Sequence, residues 1–567
     1  MPTSIRRSQR IVNSATAIGA AQFFDSLKDN KIATFDSAND ASLAVFDSAA
    51  ANELVSATDT NVPENLQMVF DEIGAEKTAD VVKAILCGAN EYESRHGVSV
   101  PADVLNYAFS LAAGTTDQAR AVMALDSANS LHGDNLSMQP NRAVIAVYAA
   151  LMEAIPFAHY LPVDIGSNEA KLGIVTHQAG GHFGMYAANG GMDGISSGDP
   201  YITSSRIHAT TNSSGAHTGQ LTSVQTDRDT CAAVSGDVVA VKLLRGRTQV
   251  YVNGRIVARE VSSAGSGLST VSGSVVISGT TYQIGGTVNT DTGAIALTST
   301  PALGDSVPVH VEGFLDYDRQ PSLTPTIVTN AEMFSIFAKP WQVATQIGMS
   351  SRTQMANELG LDAHCESLLT IQSQFANERH YEVLDKALRL ATYSGNTATF
   401  DFAWSTQSAQ KTRADVLQDL QSHLGVVSQQ MAIDTMSYGV THLYVGKYLG
   451  AMMLGLPTTI WQPSGVRHRP SIYRLGRLFG LYDVYYTPKI ITESSSAGQI
   501  LCIGQAPDVA RNPFVLGDAV PPTLVVLGVG MDLKQGNGFY GRNFTETNPH
   551  GPSSMGCALI NVTNMGL

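Results

Sequence analysis

The chain has 567 residues, and its 49 acidic against 35 basic side chains give a net charge of −14. Charged residues are 15% of the total, against about 25% in an average soluble protein. The length implies about three or four domains or lobes, and the acidic balance opposes broad, sequence-independent attraction to DNA, RNA or anionic lipid. A compact monomer of this mass would expose roughly 19,000 Å², or one charge per about 230 Å², where an average protein of this size shows one per roughly 140 Å². Two readings fit: an outside largely covered by neighbours, or a soluble enzyme with a Ser/Thr/Asn surface. The longest apolar run, Ala143 to Met152, stops at Glu153 and is half the length a membrane span needs. The first residues carry Arg6, Arg7 and Arg10, but Asn13, Ser14 and Thr16 interrupt any signal-peptide core. Ile11, Ala15, Ile18 and Ala21 recur at helical spacing there. Cys87, Cys231, Cys365, Cys502 and Cys557 are scattered without a CxxC, which fits a reducing environment.

Residues 1 to about 160 read mostly as helix. Pro63-Glu64 opens one segment with Phe70, Ile73, Val81, Val82 and Ile85 as its apolar positions, and Pro101 opens another through Val104, Leu105, Ala108, Leu111 and Ala112. A third runs from Pro140 through Val144, Val147, Leu151 and Ile155 to Pro156. A Gly-rich stretch, Gln178 to Gly184 and Asn189 to Gly194, leads into a Ser/Thr-rich run from Ser196 to Thr226, which reads as an extended arm with no core to enter. Between about 228 and 316 the period switches to two, through Val238, Val239, Val241, Val250, Val252 and Val257. Asn253-Gly254 between Tyr251-Val252 and Ile256-Val257 predicts a hairpin, since both central residues must take positive φ. A second hairpin is expected from Tyr282–Val288, a turn at 289–293 and Ala294–Leu297, followed by a strand over Ser306–Val311. These strands, between helical flanks, predict an inserted β-domain.

Helix is expected to return after 330. Asp362 is placed to cap a helix over 363–392, with Glu366 in its first turn and Leu368, Ile371, Phe375, Val383, Ala387 and Leu390 as its stripe. At 30 residues it would span about 45 Å. A second helix, about 412–436, aligns Val416, Leu420, Leu424, Val427 and Met431. The remainder is mixed, with buried-strand candidates at Leu478–Tyr486, Ile500–Ile503 and Leu524–Val529.

Catalytic signatures are weak. No phosphate-binding loop exists: Lys447 follows Gly446, but Gly439 is wrongly spaced and Tyr448 replaces the metal-binding hydroxyl. Gly194-Ile-Ser196-Ser-Gly198 matches a nucleophile elbow in letters, but glycines precede it and a polar stretch follows, where an elbow needs a strand and a helix. His177 and His182 are the most tempting metal pair, with Asp193 the nearest downstream acid; loop packing is the preferred reading. His364, Cys365 and Glu366 are adjacent on a helix and splay around it. Asp483 reads as a strand-end ion pair. Arg467, Arg469, Arg474 and Arg477, with His468, form the one charge cluster. It is either a solvated face with local partners or a set of subunit-contact arginines; arginine's planar fork suits interface carboxylates, which favours subunit contact over nucleic acid.

Four stretches, in this order, resemble the major capsid protein of tailed double-stranded-DNA phages, nearest the large-genome myophage branch. They are Gly286–Ile295 with Pro301–Val307, Glu358–Leu369 continuing to Asn377-Glu378, Met436–Gly446, and Gly476–Tyr485 with Asn512–Gly517, Tyr540–Arg542 and Asn548-Pro549. The resemblance covers roughly 280 to 550 and rests on collinearity. It implies an α+β capsid fold: an N-terminal arm and helical region at 1–164, an extended loop at 165–227, the β-insertion at 228–316, and a peripheral domain at 317–436 around a spine helix at 363–392. An axial domain at 437–530 and a C-terminal return to the peripheral domain at 531–567 complete it. It further implies a structural protein, not an enzyme, with no cofactor or metal. Many copies would form hexamers and pentamers of an icosahedral shell in the virion, assembled in the host cytoplasm around DNA that is enclosed but not specifically bound. Portal, scaffold and decoration proteins would be its other partners, and no membrane is involved. The alternatives are an encapsulin-type shell, a tail sheath protein, or a hydrolase or sugar-binding protein using the β-insertion.

Overall fold

The structure, a computed structural model, describes residues 15–34, 62–73, 75–113, 147, 150–151, 154–161, 163, 168–225, 227–232, 240–263, 267–359, 363–526 and 534–566. They fall into two compact units, 1–174 with 333–567, and 175–332.

The first unit begins with helices. Ala15–Thr34 buries Ala17, Ala20, Ala21, Phe23, Phe24 and Leu27 and leaves Ile18 exposed. The predicted face is therefore turned: the two phenylalanines and Leu27, bulkier than the alanine-rich set, decide which side goes inward. The segment expected from Pro63 is two helices, Glu64–Ile73 and Ala75–His96. Helical residues 102–113 follow Pro101 as expected, with Val104, Leu105, Ala108, Leu111 and Ala112 buried. Most of the helix expected from Pro140, Val144 included, lies outside the described residues; 147 and 150–151 are helical, and Val147, Leu151 and Ile155 are buried.

A seven-stranded mixed sheet runs in the order Thr397–Asp401, Cys557–Thr563, Gly498–Gly504, Val440–Val445, Tyr482–Tyr486, Tyr473–Leu478, Trp461–Pro463. Its side chains alternate between two cores, as the pleat requires. Leu443, Val445, Ile500, Cys502, Ala558 and Ile560 face the helix Arg413–Thr435, which inserts Val416, Leu420, Leu424, Val427 and Met431. Tyr444, Leu501, Ile503 and Leu559 face the opposite way, onto Val383, Leu384, Ala387 and Ala391 of the 31-residue helix Ala363–Tyr393. The 413–435 helix starts at a capping box: Asp415 N–H donates to Thr412 Oγ1 (3.3 Å) and Thr412 N–H to Asp415 Oδ2 (2.9 Å). Asp362 and the side chains of His364, Cys365, Glu366 and Leu368 lie outside the description. The strand expected over 478–486 is two strands, because Phe479 (φ 53°) and Gly480 (φ 69°) turn the chain between them.

Helix does not return at 330. Ile327–Phe337 and Lys339–Gly348 are long strands, and the first helical turn begins at Met349. The β-branched and aromatic content of 327–347, with Pro340 inside it, opposes helix. Lys339–Gly348 is the edge of a four-stranded sheet in the order His159–Tyr160, Phe514–Val526, Lys534–Thr547, Lys339–Gly348. The expected boundaries at 436/437 and 530/531 are cut by the sheets themselves. The seven-stranded sheet draws strands from 397–401 and 557–563, while 514–526 pairs with 534–547 in the other sheet.

The 363–393 helix is fastened to the four-stranded sheet by a buried ion pair. Arg379 Nη1 lies 3.1 Å from Asp518 Oδ1, with side chains 1% and 5% exposed. Arg379 Nε donates to Thr545 Oγ1 at 3.2 Å. The Tyr107 hydroxyl donates to Asp518 Oδ2 at 2.6 Å and accepts from the Asp518 N–H at 3.0 Å. Burial first, and the Asp518 carboxylate second, raise the Tyr107 phenol well above its ordinary pKa, so it stays a neutral donor.

The second unit is a nine-stranded sheet, in the order 205–209, 309–314, 249–252, 255–263, 268–277, 280–289, 294–300, 216–220, 211–213. Asn253 (φ 49°) and Gly254 (φ 75°) make the first expected hairpin turn. The second hairpin pairs 280–289 with 294–300, in register from Ile295 opposite Val288. The strand expected at 306–311 sits at Val309–Phe314. Val238 and Val239 lie outside the described residues. The boundary expected at 227/228 falls inside this unit, since 205–209, 211–213 and 216–220 are strands of the same sheet. The Ser/Thr-rich stretch is not an arm without a core: Arg206, His208 and His217 are buried in it.

Arg379→Ala or Asp518→Ala is expected to leave its partner charge buried and unpaired and to cost about 3–5 kcal/mol. Denaturant unfolding of the full chain checks this. The paired change Arg379→Met with Asp518→Leu should recover much of the loss, because neither charge is then stranded.

Candidate functional site

The four arginines of the sequence cluster are divided. Arg474 reaches Asp483 Oδ1 through Nη2 (2.6 Å) and Nε (3.2 Å), with Arg477 Nε 3.7 Å from the same oxygen. Arg474 and Asp483 are brought together by the antiparallel strands 473–478 and 482–486. Arg469 lies 3.4 Å from Glu91 Oε1 and donates to Ser94 Oγ at 3.1 Å, so its partners are on the 75–96 helix. Arg467 and His468 are exposed. Three of the four therefore have partners within the chain, and Arg467 is the one that fits an outward-reaching role.

The other sequence candidates resolve into local structure. His177 Nδ1 lies 3.0 Å from Asp193 Oδ1, and Asp193 Oδ2 accepts from the His177 N–H. That carboxylate clamps the ring to its own strand, 169–179, while His182 is exposed in the following loop. Gly194–Ser196 is a single 3₁₀ turn with no buried residue, so the strand and helix a nucleophile elbow needs are not around Ser196. Cys502 and Cys557 are fully buried and burial raises both thiols, which makes them inert packing groups.

What the sequence reading missed is an apolar surface on the 327–348 strands. Met333 is 66% exposed, Phe337 63% and Val343 45%. Lys339–Gly348 pairs only with Lys534–Thr547 among the described residues, so its outer edge offers unpaired backbone groups. Beside it, Trp341, Ile371, Phe375 and Phe539 line an open groove of about 540 Å³ between this strand and the long helix. Met333-Phe334-Ser335-Ile336-Phe337 was the available signal: an alternating aromatic and aliphatic run too dense for a loop.

A second feature is internal. His380 Nε2 lies 3.1 Å from the Tyr444 hydroxyl, and Phe157 sits against both rings. His96 packs on Tyr92 and Tyr485, and His442 on Tyr485 and Phe157. Burial, with Arg95 nearby, takes His380 down to about 3. Burial, then the His380 charge, lowers His96 well below its usual value. Both are neutral at pH 7.

No protein-family model matches the chain, and no curated protein matches it. Among solved structures, the chain is similar to the icosahedrally averaged capsid of jumbo bacteriophage PhiKZ, with a TM-score of 0.35 and 8% identity over 72% of this chain and 91% of that one. It is similar to a structure from Microbacterium phage Oxtober96, with a TM-score of 0.29 and 15% identity over 42% and 77%. A third likeness is to the holo-SrpI encapsulin complex from Synechococcus elongatus, with a TM-score of 0.25 and 12% identity over 43% and 79%.

Arg474→Ala strips Asp483 of its short ion pair and should lower stability by about 1–3 kcal/mol, whereas Arg467→Ala should change it by no more than about 0.5 kcal/mol. Chemical denaturation of the two variants side by side checks the contrast. The neutral histidines set a pH dependence. Their folded pKa values lie below the unfolded value near 6.5, so their contribution is present above that pH and is lost as pH falls toward about 3, where His380 finally protonates. Unfolding midpoints between pH 7 and pH 4 should fall in the wild type and fall less steeply in His380→Gln.

Proposed function

We propose that the chain is a structural shell subunit, a major capsid protein of the tailed-phage type, which self-assembles into hexamers and pentamers enclosing double-stranded DNA. The observation that carries this is the 327–348 pair of strands, whose side chains are exposed along almost their whole length although they include Ile327, Met333, Phe337 and Val343. Large apolar groups beside an unpaired strand edge are what a subunit shows when the copies that cover it are taken away. The sparse charge of the chain supports the same reading, since a surface meant to be tiled by heterologous contacts has little use for solvated charge.

In this reading the long helix and the four-stranded sheet form the peripheral domain and the seven-stranded sheet the axial domain. The unit 175–332 is the insertion, and residues before it supply the arm. The role is structural rather than enzymatic, and the protein resides in the virion after assembly in the host cytoplasm. Portal, scaffold and decoration proteins would be its further partners, and DNA would be held by enclosure rather than by specific contact. An encapsulin-type shell shares the exposed-strand logic and is the second reading; a tail sheath would use it to build tubes.

Electron microscopy of the purified protein separates these outcomes: closed particles support the proposal, tubes favour a sheath, and dispersed monomers with a turnover activity overturn it. The pair Met333→Lys with Phe337→Lys should abolish assembly while leaving the unfolding midpoint of the subunit near wild type, because both side chains are already in water in the single subunit.

A further inference from the structure

The sequence holds three Asn-Gly pairs, Asn189-Gly190, Asn253-Gly254 and Asn537-Gly538. Such a pair carries its own reaction partner, because the glycine amide nitrogen is close to the asparagine side-chain carbonyl and no Cβ on the glycine crowds the approach. The fold treats the three differently. Gly190 N–H donates to the Ala187 carbonyl at 3.0 Å, and Asn189 N–H to the Ala179 carbonyl at 2.9 Å. Asn537 and Gly538 lie inside the strand Lys534–Thr547, opposite Thr345 and Ala344 on one side and Val526 and Val525 on the other.

Asn253 and Gly254 are the exposed tip of the hairpin that joins Gln249–Val252 to Arg255–Ser263. The Asn253 N–H is held by the Pro308 carbonyl at 3.2 Å, but neither the Asn253 carbonyl nor the Gly254 N–H is hydrogen-bonded to a described residue. The space beside Gly254 is open. Positive φ at both residues, 49° and 75°, makes this a type I′ turn. Hairpin loops of two residues are also built as type II′. The two forms differ by a flip of the central peptide, here the one between Asn253 and Gly254, and the flanking ladder stays paired. The flip keeps φ of Asn253 positive and carries its ψ from about +30° to about −120°, and Gly254 accepts either sign of φ. At a ψ of about −120° the Cα–Cβ bond of Asn253 eclipses the bond to the Gly254 nitrogen. In that shape the nitrogen and the side-chain carbonyl carbon can close a five-membered ring. At Gly190 the same flip breaks the bond to Ala187, and at Gly538 it breaks the ladder of a strand paired on both sides.

We propose that Asn253 is a self-modifying site, at which the chain converts its own side-chain amide to a carboxylate. The Gly254 nitrogen gives its proton to hydroxide and attacks Cγ of Asn253. The N–Cγ bond forms, the Cγ–Nδ2 bond breaks, and the amide group leaves as ammonia with a proton taken from water. Water then opens the ring at either carbonyl, giving aspartate or isoaspartate. One water is consumed and one ammonia released, and no oxidant or cofactor enters. Aspartate restores the turn with an added negative charge two residues before Arg255. Isoaspartate routes the main chain through the side-chain carbon, and the extra methylene no longer fits a loop of two residues. This site is independent of the assembly reading above.

The test incubates the full chain in mildly alkaline buffer and follows all three pairs by peptide mapping with mass spectrometry, which reads the exchange of NH2 for OH. Asn253 should convert at least about fivefold faster than Asn189 or Asn537, the factor set by a backbone hydrogen bond that those two sites must first break. Its rate should rise in proportion to hydroxide. In urea, where turn and ladder are gone, the three rates should draw together. Asn253→Asp should fold as the wild type does and release no ammonia from this peptide. Hydrogen exchange at residues 249–252 and 255–259 should match wild type in that variant and be faster in chains that carry isoaspartate. Conversion at Asn189 or Asn537 as fast as at Asn253 in the folded chain, or an Asn253 that stays intact while the urea-unfolded chain converts, would overturn the proposal.

Discussion

The buried contact between Arg379 and Asp518 is the constraint on which the first unit turns. It sits where the long helix, the four-stranded sheet and the helical residues 102–113 meet, and each contributes a group: Arg379, Asp518 with Thr545, and Tyr107. A charge pair so deep is tolerated because hydrogen bonds surround it and because moving any one element would strand a charge in a low-dielectric interior. The pair therefore fixes the register of the helix against the sheet more sharply than apolar packing alone, which accepts sliding by a turn. Once that register is set, Val383, Ala387 and Ala391 fall opposite Tyr444, Leu501 and Leu559.

The seven-stranded sheet divides its chemistry by face. Toward the 413–435 helix it is almost wholly apolar, with Leu443, Val445, Cys502 and Ile560. Toward the long helix it is aromatic and polar, with Tyr444, Tyr485, His442 and the facing His380. The first face supplies non-directional cohesion; the second adds directional contacts, of which the His380–Tyr444 contact holds only while the His380 imidazole stays neutral. The two faces thus respond differently to acid although they share the same strands.

Much of the architecture was legible because local signals there are strong. The long helix was expected at 363–392 and is Ala363–Tyr393; the 413–435 helix buries every residue of the stripe read from its spacing; and Asn253-Gly254 turns as its letters require. The failures share a cause. Arg206, His208 and His217 alternate in a Ser/Thr-rich stretch, and polar letters were read as solvent, whereas backbone carbonyls and an aromatic face let such groups go inside. Helix was expected to return after 330, but the β-branched and aromatic letters of 327–347 make two long strands there instead. Of the site, the Arg474–Asp483 pair was half visible: the acid was read as an ion pair and the arginine as an outward contact, and only the hairpin at Phe479-Gly480 shows that they serve each other.

The order of the nine-stranded sheet has one more outcome. Its two terminal strands, 205–209 and 211–213, are consecutive in the chain and separated only by Thr210, so the ladder bends round until its ends are neighbours. What rim remains is short, and the Ala209 N–H is already taken by the Cys231 carbonyl. Open rims are how sheets from separate molecules zip together. A module built this way can be crowded beside identical modules at very high local density with little open rim to fuse by, whereas the 339–348 strand keeps one edge unpaired among the described residues.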